Sequence, residues 1–265
     1  MIYQNVLRGA DPELFLVNEK GHFVSAIDKI GGSKQFPKPI DDYGHAVQED
    51  NVAVEFNIPP AKSLEEFKAS VTKVLSYLSQ EVAKMKLQLA IYPSAIFPDE
   101  ELEDERAFIF GCDPDYNVYT HDVNPKPRAV NPNLRSCGGH LHISWDQPNM
   151  EQREQMIIAH DLFVGVPSLF FDMDDRRREL YGKAGAFRPK PYGVEYRTLS
   201  NFWISRPDLV DWVFHQSERA VNFLNEGHKI DYNHYPLIIS AINDLNYDAQ
   251  QLLTQQYPIY NPEKN

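Results

Sequence analysis

An α+β domain, with helices packed over an antiparallel sheet, is predicted by three features of this sequence. Short runs of strand character recur between Arg8 and Leu199, several bounded by turn residues. A capped amphipathic stretch, Ser63 to Met85, leads straight into the apolar run Leu87–Tyr92, which places a helix across a sheet. No internal repeat or low-complexity linker divides the 265 residues, and the chemistry-bearing pieces run from Asp11 to Arg197. Cutting the chain in two would split them, so one domain over residues 1–265 is expected.

Taken in order, Arg8–Val17 enters a strand at Leu14, and Asn18-Glu19-Lys20-Gly21 offers a hairpin turn into His22-Phe23-Val24. Lys29 to Tyr43, rich in Gly, Pro, Lys and Asp, reads as loop. Val52–Asn57 reads as a strand stopped by Pro59-Pro60. In the helix that follows, Ser63 and Glu66 form a capping box, and Leu64, Phe67, Val71, Val74, Leu75, Leu78, Val82 and Met85 mark one apolar stripe. Ala107–Phe110 is a short apolar run, and Tyr116–Asn133 an ordered loop. Leu141–Trp145 is a strand. Asn149 with Gln152 opens a helix through about Val164. Val194–Leu199 is a strand and Asp208–Leu224 a helix, followed by helical pieces at Leu237–Ile242 and Ala249–Leu253. The tail Tyr257–Asn265 is expected to wrap the surface.

Composition excludes several classes. A formal net charge of −12 argues against general nucleic-acid binding, which needs a basic footprint. Two cysteines, Cys112 and Cys137, without a C-x-x-C pairing, exclude a disulfide scaffold and a cysteine-rich zinc site. Met1–Asn5 lacks the charged and apolar regions of a signal peptide, and Leu162–Phe171 is too short to span a bilayer. A soluble cytoplasmic protein with no membrane contact is expected.

Four pieces carry chemistry. Asp11 and Glu13 bracket Pro12; if the backbone is extended, both carboxylates point the same way and can share or bridge Mg²⁺. The ordinary alternative is an acidic turn before a strand. Glu55 interrupts the otherwise apolar Val52–Phe56, where a carboxylate wants a cation or strong donors. Glu49 and Asp50 precede it, and Glu49 lies an even number of positions from Glu55, so the two share a face if no bulge intervenes.

His140 and His142 stand two apart behind Gly138-Gly139, where paired glycines let backbone approach a ligand. A lone histidine here would more often be a satisfied core residue. Glu195 and Arg197 share a strand face, with a cross-strand ion-pair network as the plain alternative. Upstream lies a basic stretch, Arg176-Arg177-Arg178, Lys183, Arg188 and Lys190, interleaved with Gly182 and Gly185. Such a loop can close over phosphates, whereas Arg176–Arg178 can equally be a solvated helix end. No Walker loop, G-x-G-x-x-G or G-x-S-x-G is present, and neither cysteine is marked as activated, so an enzyme here works through metals and electrostatics.

Taken together, Asp11-Pro12-Glu13-Leu14-Phe15-Leu16, Gly139-His140-Leu141-His142 and Glu195-Tyr196-Arg197 resemble the acidic first strand, the H-x-H strand and the late E-x-R strand of the glutamine synthetase superfamily. The phage-type branch of carboxylate–amine ligases is the nearest likeness, over most of residues 8–203. The resemblance implies an antiparallel sheet curved into a half-barrel, holding ATP and two or three Mg²⁺ or Mn²⁺ ions. It implies that Asp11, His140 and Glu195 hold the cation nearest the transferred phosphate. Glu13 and Glu55, with Glu49 or Asp50, would hold another on the substrate side. His142, Arg188 and Arg197 would contact phosphate, with Lys183 in the covering loop. Asp11 replaces the family's usual glutamate, the second acidic segment has different spacing, and no equivalent of the ammonia-site segments is visible.

The implied activity is amide-bond formation through an acyl phosphate, with small-molecule or peptide carboxylate and amine substrates. A guanidino-kinase-like phosphotransferase, a metal-dependent hydrolase and a non-catalytic phage binding protein remain open at this point, as do the oligomeric state and the general base.

Overall fold

The computed structural model describes residues 2–109, 115–125 and 128–259. Cys112, Phe110 and the tail beyond Ile259, on which expectations were placed, lie outside the described residues. The strands are β1 Leu7–Asn18, β2 Phe23–Val24, β3 Lys38–Pro39, β4 Ala46–Asp50, β5 Ala53–Ala61, β6 Leu87–Ala90, β7 Ser94–Ile96, β8 Tyr116–Asn117, β9 Leu134–Ser136, β10 Gly139–Ser144, β11 Ala186–Lys190 and β12 Gly193–Tyr196. The main helices are α1 Leu64–Ala83, α2 Met150–His160, α3 Pro207–Asn225, α4 Tyr235–Asp244 and α5 Tyr247–Gln256.

Ten strands form one sheet in the order β3-β4-β5-β1-β10-β12-β11-β8, with β2 and β6 paired to the far end of β1. Every pairing in it is antiparallel. The fold is therefore α+β on a large antiparallel sheet, as the sequence predicts.

The sheet's two faces follow from alternation along each strand. Ala10, Leu14 and Leu16 of β1, Val54 and Phe56 of β5, Leu141 and Ile143 of β10, and Val194 and Tyr196 of β12 enter the main core. There they meet Phe67, Val71, Val74 and Leu78 of α1 and Val213 and Ala220 of α3. Each fully buried large aliphatic or phenyl side chain contributes about 1.5–3 kcal/mol of burial. The residues between these positions face the other way, onto a cleft.

Three elements differ from expectation. β5 runs on through Pro59 and Pro60 rather than stopping. Its pairing with β4 ends at Asn57↔Ala46, so the prolines lie beyond that ladder, and a register shift in the β1 pairing between Arg8 and Ala10 accommodates them. The basic loop after Gly185 is in fact strand β11, closed onto β12 by the two-residue turn Pro191-Tyr192. And α2 begins with the expected Asn149/Gln152 capping box but passes at Asp161–Gly165 into a π-helical turn. There Asp161 accepts from Tyr119 Oη, Tyr196 Oη, Thr198 Oγ1 and Gly185 N. That buried carboxylate ties the start of β11 to the end of β12.

Candidate active site

The cleft face of the sheet carries one continuous rank of polar side chains. Gln48 is opposite Glu55, Glu55 opposite Glu13, Asp11 opposite His140, His142 opposite Glu195, and Glu195 opposite Arg188. Because antiparallel partners share a face, six strands deliver these groups to one wall. The cleft has a volume of about 350 Å³.

Pro12 sits mid-strand, opposite Gly139, so Asp11 and Glu13 are two successive cleft positions of β1 and not a turn. Gly138 and Gly139 serve internal packing. A Cβ on Gly138 would lie inside contact distance of His140 Nε2, and one on Gly139 would strike the carbonyl of Ser200. The backbone of Gly138 is bonded to Glu13 twice, its N–H donating to Oε2 at 2.7 Å and its carbonyl accepting from Glu13 N at 2.9 Å.

Two clusters emerge. Asp11, His140 and Glu195 bring one ligand atom each within 4.8 Å of one another, and so do Glu13, Asp50 and Glu55. In the first, His140 Nδ1 faces Asp11 Oδ1 at 3.5 Å and Glu195 Oε1 at 3.8 Å, both too long for good hydrogen bonds. Burial, then the neighbouring Arg197, pushes the imidazole down to about 4, so the ring is neutral. Arg197 Nη1 donates to the same Nδ1 at 3.4 Å. Three lone-pair donors thus converge on one point.

Burial would raise the Asp11 carboxyl, but the imidazoles of His142 and His140 outweigh it and hold it well below the carboxylate range. Glu195 is likewise opposed by burial yet held at about 2, chiefly by Arg197. Arg197 Nη1 bonds Glu195 Oε1 directly, Lys190 Nζ lies 2.8 Å from Oε2, and Arg188 Nη1 lies 3.4 Å from Oε1. Arg197 also pairs through Nε with Asp115 at 3.1 Å.

Among the described residues no lysine or arginine is ion-paired with the second cluster, and Arg197 and Arg177 act on Glu13 only behind burial and Asp50. Gly138 N donates to Glu13 at 2.7 Å and Gln48 Nε2 to Glu55 at 2.8 Å. Burial and then Asp50 push Glu13 up to about 7, and burial followed by Asp11, Asp50 and Glu13 holds Glu55 well above the carboxylate range. Crowded carboxylates on a partly dry wall suit a hard divalent cation with oxygen ligands; the mixed imidazole–carboxylate cluster suits Mg²⁺ less than Mn²⁺ but excludes neither.

Two expected site residues lie elsewhere. Glu49 points away from the cleft and accepts from the backbone N–H groups of Asp28, Ile30 and Gly31 at 3.0, 3.1 and 2.8 Å. The chain reverses between Asp50 and Ala53, so positions 49 and 55 are not on one strand. Glu49 is opposite Val54, and Asp50 is the residue that joins Glu55. Lys183 is exposed before β11 and does not line the cleft; Lys190, two residues beyond Arg188 on the same face, does. Arg177 and Arg178 are not a solvated helix end. Arg177 is 2% exposed and donates to the carbonyls of Cys137, Thr198 and Leu199, and Arg178 donates to those of Ile242 and Asp174.

His142 occupies the expected face, but its Nε2 lies 2.9 Å from Asp11 Oδ2 as an ion-pair contact without hydrogen-bond alignment, and its Nδ1 meets Tyr192 Oη at 2.5 Å. Lys190 belongs to the basic stretch expected to meet phosphate, and it lines the cleft; Tyr192 and Asp115 are not among the expected residues. Tyr192 and Asp115 carry no pattern that marks them.

Residues 130–242 match the family described as phage phiEco32-like COOH.NH2 ligase, type 2. This is the branch the sequence motifs resemble. The matched segment holds His140, His142, Arg188, Glu195 and Arg197, while Asp11, Glu13, Asp50 and Glu55 precede it. The chain is also similar to a solved structure described as a novel glutamine synthase homolog, at 11% identity and a TM-score of 0.42, over 95% of this chain and 66% of that one. This chain thus spans a little under two thirds of that structure's length. No curated protein matches it. Among the described residues, no helix is long and apolar enough to cross a membrane.

Proposed function

We propose that residues 1–265 act as one catalytic domain, an ATP- and divalent-cation-dependent ligase that joins a carboxylate to an amine. The observation that carries this reading is the polarity of the cleft. Arg188, Lys190 and Arg197 cluster around Glu195 at one end, and the trio Glu13, Asp50 and Glu55, not ion-paired with any described lysine or arginine, sits at the other. A triphosphate suits the cationic end and an amine the acidic end. The family match over residues 130–242 supports the same chemistry.

In the reaction we envisage, a substrate carboxylate oxygen forms a bond to the γ-phosphorus of ATP while the bond to ADP breaks. The amine then attacks the acyl carbon, phosphate leaves with the C–O electron pair, and the amine gives up a proton. Bound at the two clusters, divalent cations would neutralise charge on the phosphate oxygens. Arg188 and Arg197 hold the phosphoryl group by charge-assisted hydrogen bonds, and Lys190 adds a point charge. Asp11, His140 and Glu195 would hold one cation, and Glu13, Asp50 and Glu55 the other. The substrates are small molecules or peptides, and the setting is the cytoplasm, that of the infected bacterial host if the protein is phage-encoded.

The decisive test is calorimetric titration with Mg-ATP and a non-hydrolysable analogue, followed by incubation with pooled carboxylates and amines. ADP and phosphate released only when both substrates are present is the expected result. No nucleotide binding at millimolar Mg²⁺ would refute it. Release of ADP with a phosphorylated acceptor and no amide would reassign the protein as a phosphotransferase.

A further inference from the structure

A half-exposed tyrosine beside the cleft has no part in the reading above. Tyr192 is the second residue of the β11–β12 turn. Its carbonyl accepts from Trp145 N at 3.2 Å, which fixes the turn against the end of β10. From there its ring leans over His142, with centroids 6.1 Å apart and planes at 41°, and its hydroxyl meets His142 Nδ1 at 2.5 Å. His142 in turn reaches Asp11 Oδ2 at 2.9 Å. The other oxygen, Oδ1, is the one that faces His140.

We infer that Tyr192 is a positioning residue that, through His142, holds Asp11 with Oδ1 aimed at a divalent cation. The inference rests on the proposed cation site at Asp11, His140 and Glu195. Its logic is geometric. A carboxylate only accepts, so an attractive 2.9 Å contact with Asp11 requires the proton on His142 Nε2 whatever the charge of the ring. A phenol hydroxyl both donates and accepts, so Tyr192 can satisfy Nδ1 whether or not that nitrogen carries a proton. The ring is therefore held by the Tyr192 hydroxyl at Nδ1 and set against Asp11 Oδ2 at Nε2, which leaves Oδ1 as the oxygen turned to the cluster. Outer hydrogen bonds of this kind typically govern metal affinity by 10–100-fold.

The same chain reassigns His142. With both ring nitrogens engaged, it is not free to contact phosphate, the role the resemblance implies for it. Its work is done on Asp11.

The test measures Mn²⁺ binding to the full chain by electron paramagnetic resonance and calorimetry, together with the ¹⁵N shifts of the His142 ring. Tyr192→Phe, which keeps the ring and removes the hydroxyl, is expected to weaken one Mn²⁺ site by about 10-fold and to shift the His142 Nδ1 resonance. Tyr192→Ala serves as its companion. If Tyr192→Phe binds Mn²⁺ like the wild type while Tyr192→Ala does not, the ring only shields His142 and the hydrogen-bond inference is overturned. His140→Ala tests the site itself. If that variant retains every Mn²⁺ site, the cation reading fails and takes this inference with it; if it loses one site while Tyr192→Phe loses no affinity, the inference alone fails.

Discussion

Replacing Glu55 by glutamine isolates the charge crowding at the acidic end of the cleft. The substitution keeps the side chain's shape and an oxygen to accept from Gln48 Nε2, while removing a carboxylate from the trio with Glu13 and Asp50. Burial and Asp50 raise Glu13 from 4.5 to about 7, a change corresponding to roughly 3 kcal/mol at pH values above 7. The folded state binds more protons than the unfolded chain between those two values. Stability contributed by this group is therefore greatest at low pH, falls as pH rises from 4.5 to 7, and stays reduced above that window.

Glu55 carries a penalty of the same sign, since burial and then Asp11, Asp50 and Glu13 hold it well above the carboxylate range, so in cation-free buffer at pH 8 Glu55→Gln should gain on the order of 1 kcal/mol, or a rise in Tm of about 2–4 °C. Added Mg²⁺ should reverse the ranking. At a cation concentration of 100 Kd the wild type gains about 2.7 kcal/mol, or roughly 5–10 °C, and the variant should gain less than half as much. Differential scanning calorimetry with and without Mg²⁺ reads both arms. A variant no more stable than wild type without cation, and lifted equally with it, would show that the trio neither repels nor binds as argued.

Four further outcomes are expected. Glu195→Gln and His140→Ala should each lower ligase turnover by at least about 10³-fold while circular dichroism shows the fold intact; activity near wild type in either would remove the first cluster from the reaction. Gly138→Ala should displace the His140 ring, weakening Mn²⁺ binding and costing about 1–3 kcal/mol in a denaturant titration. Arg177→Met should destabilise the protein by about 3–5 kcal/mol, since three backbone carbonyls lose their buried donor. His160, fully buried between Met156 O and Ser217 Oγ and pushed down to about 3, contributes stability that is complete above about pH 6.5 and is lost as pH falls towards 3. The pH profile of His160→Gln, measured by urea unfolding, should be flatter than wild type across that window.

Strand alternation made much of this arrangement readable from sequence. Asp11 with Glu13 and His140 with His142 are each two apart on one strand, Arg197 lies two beyond Glu195 just past the end of β12, and the structure sets all three pairs on the same wall. Helix α1 was equally legible, because an N-cap serine and a full apolar stripe admit little else. The failures share one cause, a missed reversal of direction. Asn51 turns the chain with φ 59°, which trades Glu49 for Asp50 at the cleft. Pro189 and Pro191 disguise β11 as loop, which trades Lys183 for Lys190. Nothing local marks Asp115, whose pairing with Arg197 spans 82 positions and exists only once the sheet is assembled.

The division of charge across the sheet follows from the order of its strands. β1 is central and carries one carboxylate of each cluster, two residues apart, so the two clusters cannot move independently of one backbone segment. Its neighbour β5 brings the carboxylate of Glu55 and the neutral amide of Asn57 to the cleft, whereas the hairpin β11–β12 beyond β10 brings Arg188, Lys190 and Arg197. Glu195 is the junction, since it belongs to the Asp11 cluster yet is paired with all three cations. Any anion that draws those cations away leaves Glu195 free to bind a metal ion, and any metal ion on Glu195 frees the cations for an anion. The two events are therefore thermodynamically linked, and by reciprocity each must strengthen the other by the same factor. Mn²⁺ affinity measured with and without a non-hydrolysable triphosphate should show that coupling, and Arg197→Met should reduce it.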